Sequence, residues 1–96
     1  MSEAPERIWM DGLMRRRGTF KISRRMLSET SLEEMSRIMA GVVVWHTEAD
    51  FYTDTITYKA ECADFAEVQE GVIPPEYNLH VICEDGVFSH REFHQK

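Results

Sequence analysis

Apolar residues recur at every second position near the end of this chain. Tyr77, Leu79, Val81 and Cys83 share one parity, and Phe88 continues the face beyond Asp85-Gly86. That period is the side-chain period of a β-strand. Asp-Gly suits the two positive-φ positions of a tight hairpin turn, so Tyr77–Glu84 and Val87–His94 are predicted to pair. Asp11-Gly12 carries the same signal between Arg7–Met10 and Leu13–Arg16. That first hairpin is expected to continue through Thr19–Ser23, with Phe20 and Ile22 on one face, Lys21 and Ser23 on the other, and Gly18 as a bulge or bend.

One segment changes period. Leu32, Met35, Ile38 and Met39 follow the spacing of a helix face, and the predicted helix covers about residues 32–40. Ser31 and Glu34 have capping-box spacing, Glu33 and Glu34 suit the positive end of the helix, and Gly41 is a suitable terminator. A helix this short needs a sheet to pack on.

Beyond Gly41 the chain returns to β character. Val42–His46 is β-branched and aromatic and could be buried on both faces. Thr47–Asp50 reads as a turn. Phe51–Cys62 reads as a long strand with Tyr52, Ile56, Tyr58, Ala60 and Cys62 on one face, broken at Asp54. Residues 63–76 form an irregular connection pinned by Phe65 and Val68 and stiffened by Pro74-Pro75. The expected fold is α+β in a single domain, 1–96: a mostly antiparallel sheet of five or six strands with one helix on one side.

The chain has 96 residues, 43% of them hydrophobic, which is enough for a core without metal or disulfide staples. The apolar run Met39–Trp45 is far short of a membrane span. Glu3 and Glu6 stand where a secretory signal would be basic, and two cysteines, Cys62 and Cys83, are few for a disulfide-held domain. The expectation is a cytoplasmic protein with reduced thiols and no membrane association.

Charge is distributed unevenly. Residues 1–25 hold seven basic residues against three acidic ones, and residues 26–96 hold four against fourteen, within an overall −6. The basic cluster Arg15, Arg16, Arg17, Lys21, Arg24 and Arg25 falls on the predicted ribbon 13–25. Such a ribbon with Phe20 could contact phosphates and stack on a base, which makes a nucleic-acid-binding module the alternative reading. An edge strand guarded by charge is the plainer one. The acidic residues Glu48, Asp50, Asp54, Glu61, Asp64, Glu67 and Glu70 could imitate phosphates to a basic protein partner, or serve solubility. Basic and acidic surfaces could also meet between two copies in a homodimer.

Catalytic signals are absent. The glycines at 12, 18, 41, 71 and 86 are scattered, with no phosphate loop. Both cysteines fall on apolar strand faces, where a thiol is unreactive. Cys83, His90 and His94 invite a zinc site, but positions 90 and 94 of a strand lie about 13 Å apart. His80 and Cys83 have opposite parity, so no metal and no cofactor is expected. An enzyme assembled from His80, His90 and nearby carboxylates is the weakest expectation.

Two stretches carry a resemblance. Ala4-Pro5-Glu6-Arg7-Ile8-Trp9 resembles the opening of many small accessory proteins of tailed phages and prophages. Phe65–Gly71 with Pro74-Pro75-Glu76-Tyr77 is similar to a segment of such proteins; together they cover 17 of the 96 residues. The resemblance implies a class of role, a non-enzymatic binder such as an inhibitor, regulator or assembly part, and no particular site residue.

Overall fold

A computed structural model describes residues 15–96. The expected hairpin around Asp11-Gly12 lies outside the described residues, as do positions 13 and 14 of the expected ribbon. The elements are β1 (Arg17–Ser23), α1 (Arg24–Glu29), α2 (Leu32–Ile38), β2 (Val42–Asp50), β3 (Thr55–Cys62), β4 (Tyr77–Glu84) and β5 (Val87–Gln95). Pairing is antiparallel throughout these strands, as expected for the α+β class. The single sheet and single helix are corrected: β1-β3-β2 form one three-stranded sheet, β4-β5 form a separate hairpin, and there are two helices. The split has a local cause. Thr19 donates its N–H to the Pro75 carbonyl at 3.1 Å and bridges Glu76 in parallel. Pro75 has no N–H with which to prolong a ladder, so the pairing with β1 stops at that bridge, just before β4 begins.

β1 alternates as its sequence predicts, with Gly18, Phe20 and Ile22 buried. It ends where Ser23 caps a helix, its Oγ accepting from the Met26 N–H at 3.1 Å. The ribbon therefore stops at Ser23. Arg24 and Arg25, expected on a strand, begin α1. Arg25 pairs with Glu29 one turn on, at 3.0 Å, while Met26 and Leu27 pack on the core.

α2 is capped as its spacing predicts: the Ser31 Oγ accepts from the Glu34 N–H at 3.1 Å. Gly41, at φ 77°, takes the left-handed conformation that turns the chain into β2. Only the C-terminal end of the helix is held, by β5, and Ile38 alone is buried. Leu32, expected on the packed face, is 85% exposed because the first turn stands clear of both sheets.

Residues 47–50 are strand rather than turn. β2 pairs with β3 from Val42↔Cys62 to Asp50↔Thr55, and the reversal is made by residues 51–54. The Asp50 Oδ1 accepts from the Tyr52 N–H at 2.9 Å, and Asp54 takes φ 55°. Asp50 and Asp54 thus place the turn, through a side chain that mimics backbone and a residue that tolerates positive φ. Gly18 is no bulge; it sits in register opposite Ala60. The ladder irregularities fall instead at Trp45 and Ser89, between Val44/His46 and Ile82/Cys83. The last hairpin is as expected, with Asp85 at φ 53° and Gly86 at φ 78°.

The core joins the two sheets through aromatic rings. Phe20 stacks on its cross-strand partner Tyr58 at 5.2 Å, and Phe65 stacks on Tyr77 at 4.5 Å. Phe93 of β5 joins the two pairs, 5.0 Å from Phe20 and 4.8 Å from Phe65. The Tyr77 hydroxyl accepts from the Ala66 N–H at 2.7 Å, which fixes the connection over the core. A Cβ on Gly18 would come 2.6 Å from the Tyr77 ring and 3.1 Å from that of Phe65. Gly18→Ala is expected to cost about 1–3 kcal/mol, because two stacked rings must shift together. Urea unfolding checks this, and an unchanged midpoint would show that the rings can give way.

Candidate interaction surface

The basic residues do not form one patch. Arg17 and Lys21 project from the outer face of β1, opposite the face that carries Phe20 and Ile22. Arg16 turns inward and donates to the Phe65 carbonyl at 3.0 Å, and its backbone bridges Glu67. Arg15 holds the connection through its carbonyl, which accepts from the Val68 N–H at 2.7 Å. Arg24 pairs with Asp54 at 3.4 Å and Arg25 with Glu29. Two of the six cations, Arg24 and Arg25, are thus paired with carboxylates of the chain.

The acidic residues are likewise dispersed. Glu48 and Asp50 lie at one end of β2. Glu61 lies at the other end of the sheet, across from Arg17 and Val43. Asp64, Glu67 and Glu70 follow along the connection, Asp64 facing Arg91 at 3.4 Å and Glu67 facing Arg16. Only Glu48 and Asp50 stand on a free strand edge. The Thr53 hydroxyl, then the backbone N–H groups of Tyr52 and Thr53, hold the Asp50 carboxyl below its ordinary value of 3.8.

That edge is β2. The order β1-β3-β2 leaves it paired on one side only, and on the other side its N–H and C=O groups have no strand partner among the described residues. Expected to be buried on both faces, Val42–His46 is instead largely open: Val43, Val44 and Trp45 are exposed, Trp45 by 54%. The bulge leaves Trp45 without a partner on β3. Phe51 and the fully exposed Tyr52 extend the apolar surface into the turn. The residue types of this strand were legible, but its position at an edge was not, because strand order is a long-range property.

Arg91 was also missed. It lies on β5 opposite Val81, with its side chain 12% exposed. Its Nη1 donates to the Ile38 carbonyl at 2.5 Å and the Ala40 carbonyl at 2.6 Å. Its Nη2 reaches the Asp64 carboxylate at 3.4 Å and the Cys62 Sγ at 3.5 Å. Its Nε is buried without a hydrogen-bond partner among the described residues. The guanidinium carbon stands 5.2 Å from the centre of the Phe93 ring, a cation–π contact.

The cysteines differ from expectation in one respect. Cys62 is buried, and burial raises its thiol pKa, partly offset by the Asp64 N–H and by Arg91. Cys83, expected on a covered face, is exposed beside the turn of the last hairpin. Both thiols are free. The remaining polar cluster is on the outer face of that hairpin. His90 Nε2 and His94 Nε2 lie 3.1 Å and 2.8 Å from the two oxygens of Glu92, and the His80 ring centre is 4.2 Å from that of His94. These imidazole contacts hold the Glu92 carboxyl below its ordinary value of 4.5.

Two outcomes follow from these environments. A thiol reagent added to the native protein near neutral pH should label Cys83 promptly and Cys62 only after denaturation; rapid labelling of both would contradict the burial of Cys62. Asp50 has a lower pKa folded than unfolded, so its contribution to stability is present above pH 3.8. It is lost as the pH falls through the depressed native value. Asp50→Asn keeps the turn-capping oxygen but removes the titration. Urea midpoints should therefore fall less steeply on acidification in the variant than in the wild type, and parallel curves would show no such linkage.

Among the described residues no helix is long and apolar enough to cross a membrane. No protein family, curated protein or solved structure gives a match to the chain.

Proposed function

We propose that this chain is a non-enzymatic binding protein that engages a protein partner through the open edge of β2, of the kind tailed phages encode as inhibitors or regulators. The observation that supports it is the edge itself. Nine residues of strand have no second strand partner among the described residues, and they present exposed Val43, Val44 and Trp45 and the carboxylates of Glu48 and Asp50. An exposed, apolar edge strand is a hazard that folded proteins usually cover or blunt. A partner that adds an extended segment to it gains main-chain hydrogen bonds, with side-chain contacts for specificity.

The chemistry of the surface favours a partner segment with apolar residues beside Trp45 and Lys or Arg beside Glu48 and Asp50. This replaces a broad acidic face with a short acidic end of one strand. The nucleic-acid reading is weakened by the internal pairing of Arg24 and Arg25 and by the inward turn of Arg16.

The test begins with capture of partners from the source cell, or its host, by the wild-type chain. Binding of the captured protein is then measured against Trp45→Ser and Glu48→Lys. Each is expected to weaken binding by about tenfold or more. Amide exchange of β2 should slow in the complex. A partner that binds both variants as well as the wild type, or leaves β2 exchange unchanged, would place the interface elsewhere.

A further inference from the structure

The irregularity at Ser89 has a chemical result. A two-residue turn at Asp85-Gly86 pairs Glu84 with Val87 and Cys83 with Phe88. Continued without interruption, that register would set His80 opposite Arg91 and Val81 opposite His90. The extra residue in β5 shifts it by one, so that His80 faces Glu92, Asn78 faces His94 and Ile82 faces His90. A one-residue shift exchanges the faces of a strand. Arg91 and Phe93 go to the core side, and three imidazoles gather with one carboxylate on the outer side.

We infer that His80, Glu92 and His94 form a binding site for a divalent metal ion of the zinc type, with His90 as an outer partner that holds the carboxylate. The His94 Nε2 to Glu92 Oε1 distance is 2.8 Å. Ligand atoms about 2.1 Å from one ion stand about 3.4 Å apart at the tetrahedral angle and about 3.0 Å at a right angle, so this pair reaches the separation of two neighbouring ligands by opening a few tenths of an ångström. Two imidazoles bound to one ion through Nε2 have ring centres about 4.5–5 Å apart, and those of His80 and His94 are at 4.2 Å. His90 Nε2 lies 3.1 Å from the other oxygen of Glu92. A hydrogen bond there orients a ligating carboxylate.

With the side chains as they stand, no three donors among the described residues are grouped on one point. His80 completes the set by side-chain rotation alone, because it is exposed and sits across from Glu92 on a rigid ladder. Metal binding replaces the hydrogen bond between His94 and Glu92, and water fills the remaining positions. Two imidazoles and one carboxylate suit Zn2+, Ni2+ or Cu2+ and not Mg2+.

The site is tested on the full chain without an affinity tag, by calorimetric titration with Zn2+ at pH 7.5 and Mg2+ as control. One Zn2+ per chain is expected and no Mg2+ binding. His94→Ala and His80→Gln should each weaken Zn2+ binding by about tenfold or more. His46→Ala should leave it unchanged, since His46 sits on β2 with its own partner, Glu48, at 3.1 Å. All of these positions are exposed, so metal-free melting should not change; if a variant does melt early, the His80 and His94 ring resonances of the wild type report the same titration. No heat and no ring shift would overturn the proposal. So would Zn2+ binding that survives His94→Ala but is lost in His46→Ala or Cys83→Ser.

Discussion

Arg91 is the residue on which the assembly of this fold depends. Helix α2 ends in carbonyl groups that have no acceptor role within the helix, and it is too short to persist by itself. Arg91 reaches from β5 to two carbonyls at that end, Ile38 and Ala40, and the positive charge complements the negative end of the helix. The same guanidinium meets Asp64, at the start of the connection, and lies against Phe93 at the junction of the rings. One side chain therefore ties a helix, a loop and both sheets together. Loss of its charge would take the donor from the Ile38 and Ala40 carbonyls, whereas loss of its stem would open the space beside Phe93. The buried and unpaired Nε shows that the arrangement is tightly constrained rather than freely optimised.

The rings supply the rest of the cohesion. The hairpin β4-β5 shares no ladder with the three-stranded sheet beyond one bridge, so the two sheets are joined by packing. Phe93 acts from one side and Tyr77 from the other, and both depend on close approach to β1. Gly18 allows that approach for Tyr77. The free edge is a consequence of this arrangement. The connection that brings Tyr77 into place covers β1, and among the described residues no strand pairs with the other edge of β2.

Much of the local structure was legible in the sequence. Asp85-Gly86 demands positive φ at two successive residues, and Ser31 with Glu34 offers a cap that few other arrangements use. Phe20 and Ile22 were read as inward-facing by parity alone. The misreadings have physical causes. Arg24–Glu29 carries no apolar stripe long enough to show a helical period, and its helix forms because Ser23 caps it. Asp50 looked like a turn residue and is one, but through its side chain at the end of a strand. The bulges at Trp45 and Ser89 follow from pairing between distant segments, which no local pattern contains. The same limit hid the approach of His80 to His94 and the reach of Arg91. The acidic surface was over-read, since sequence proximity from Glu48 to Glu70 became dispersal in space.

Ser89 also determines what kinds of change β5 can tolerate. Its side chain is exposed, and replacing it would alter little. Removing it would also leave the later partners in place, since the ladder already passes from Cys83–Phe88 to Ile82–His90 without it. Drawing it into the ladder is a different matter: Arg91 would then point to solvent and Glu92 into the rings. The segment should therefore accept varied residue identities at position 89, whereas a residue added between His90 and Phe93 would turn Phe93 out of the core. An insertion elsewhere, in the exposed connection near Gly71, would leave the pairing of both sheets intact. What β5 must keep is parity: Arg91 and Phe93 on one face, whatever happens at the bulge before them.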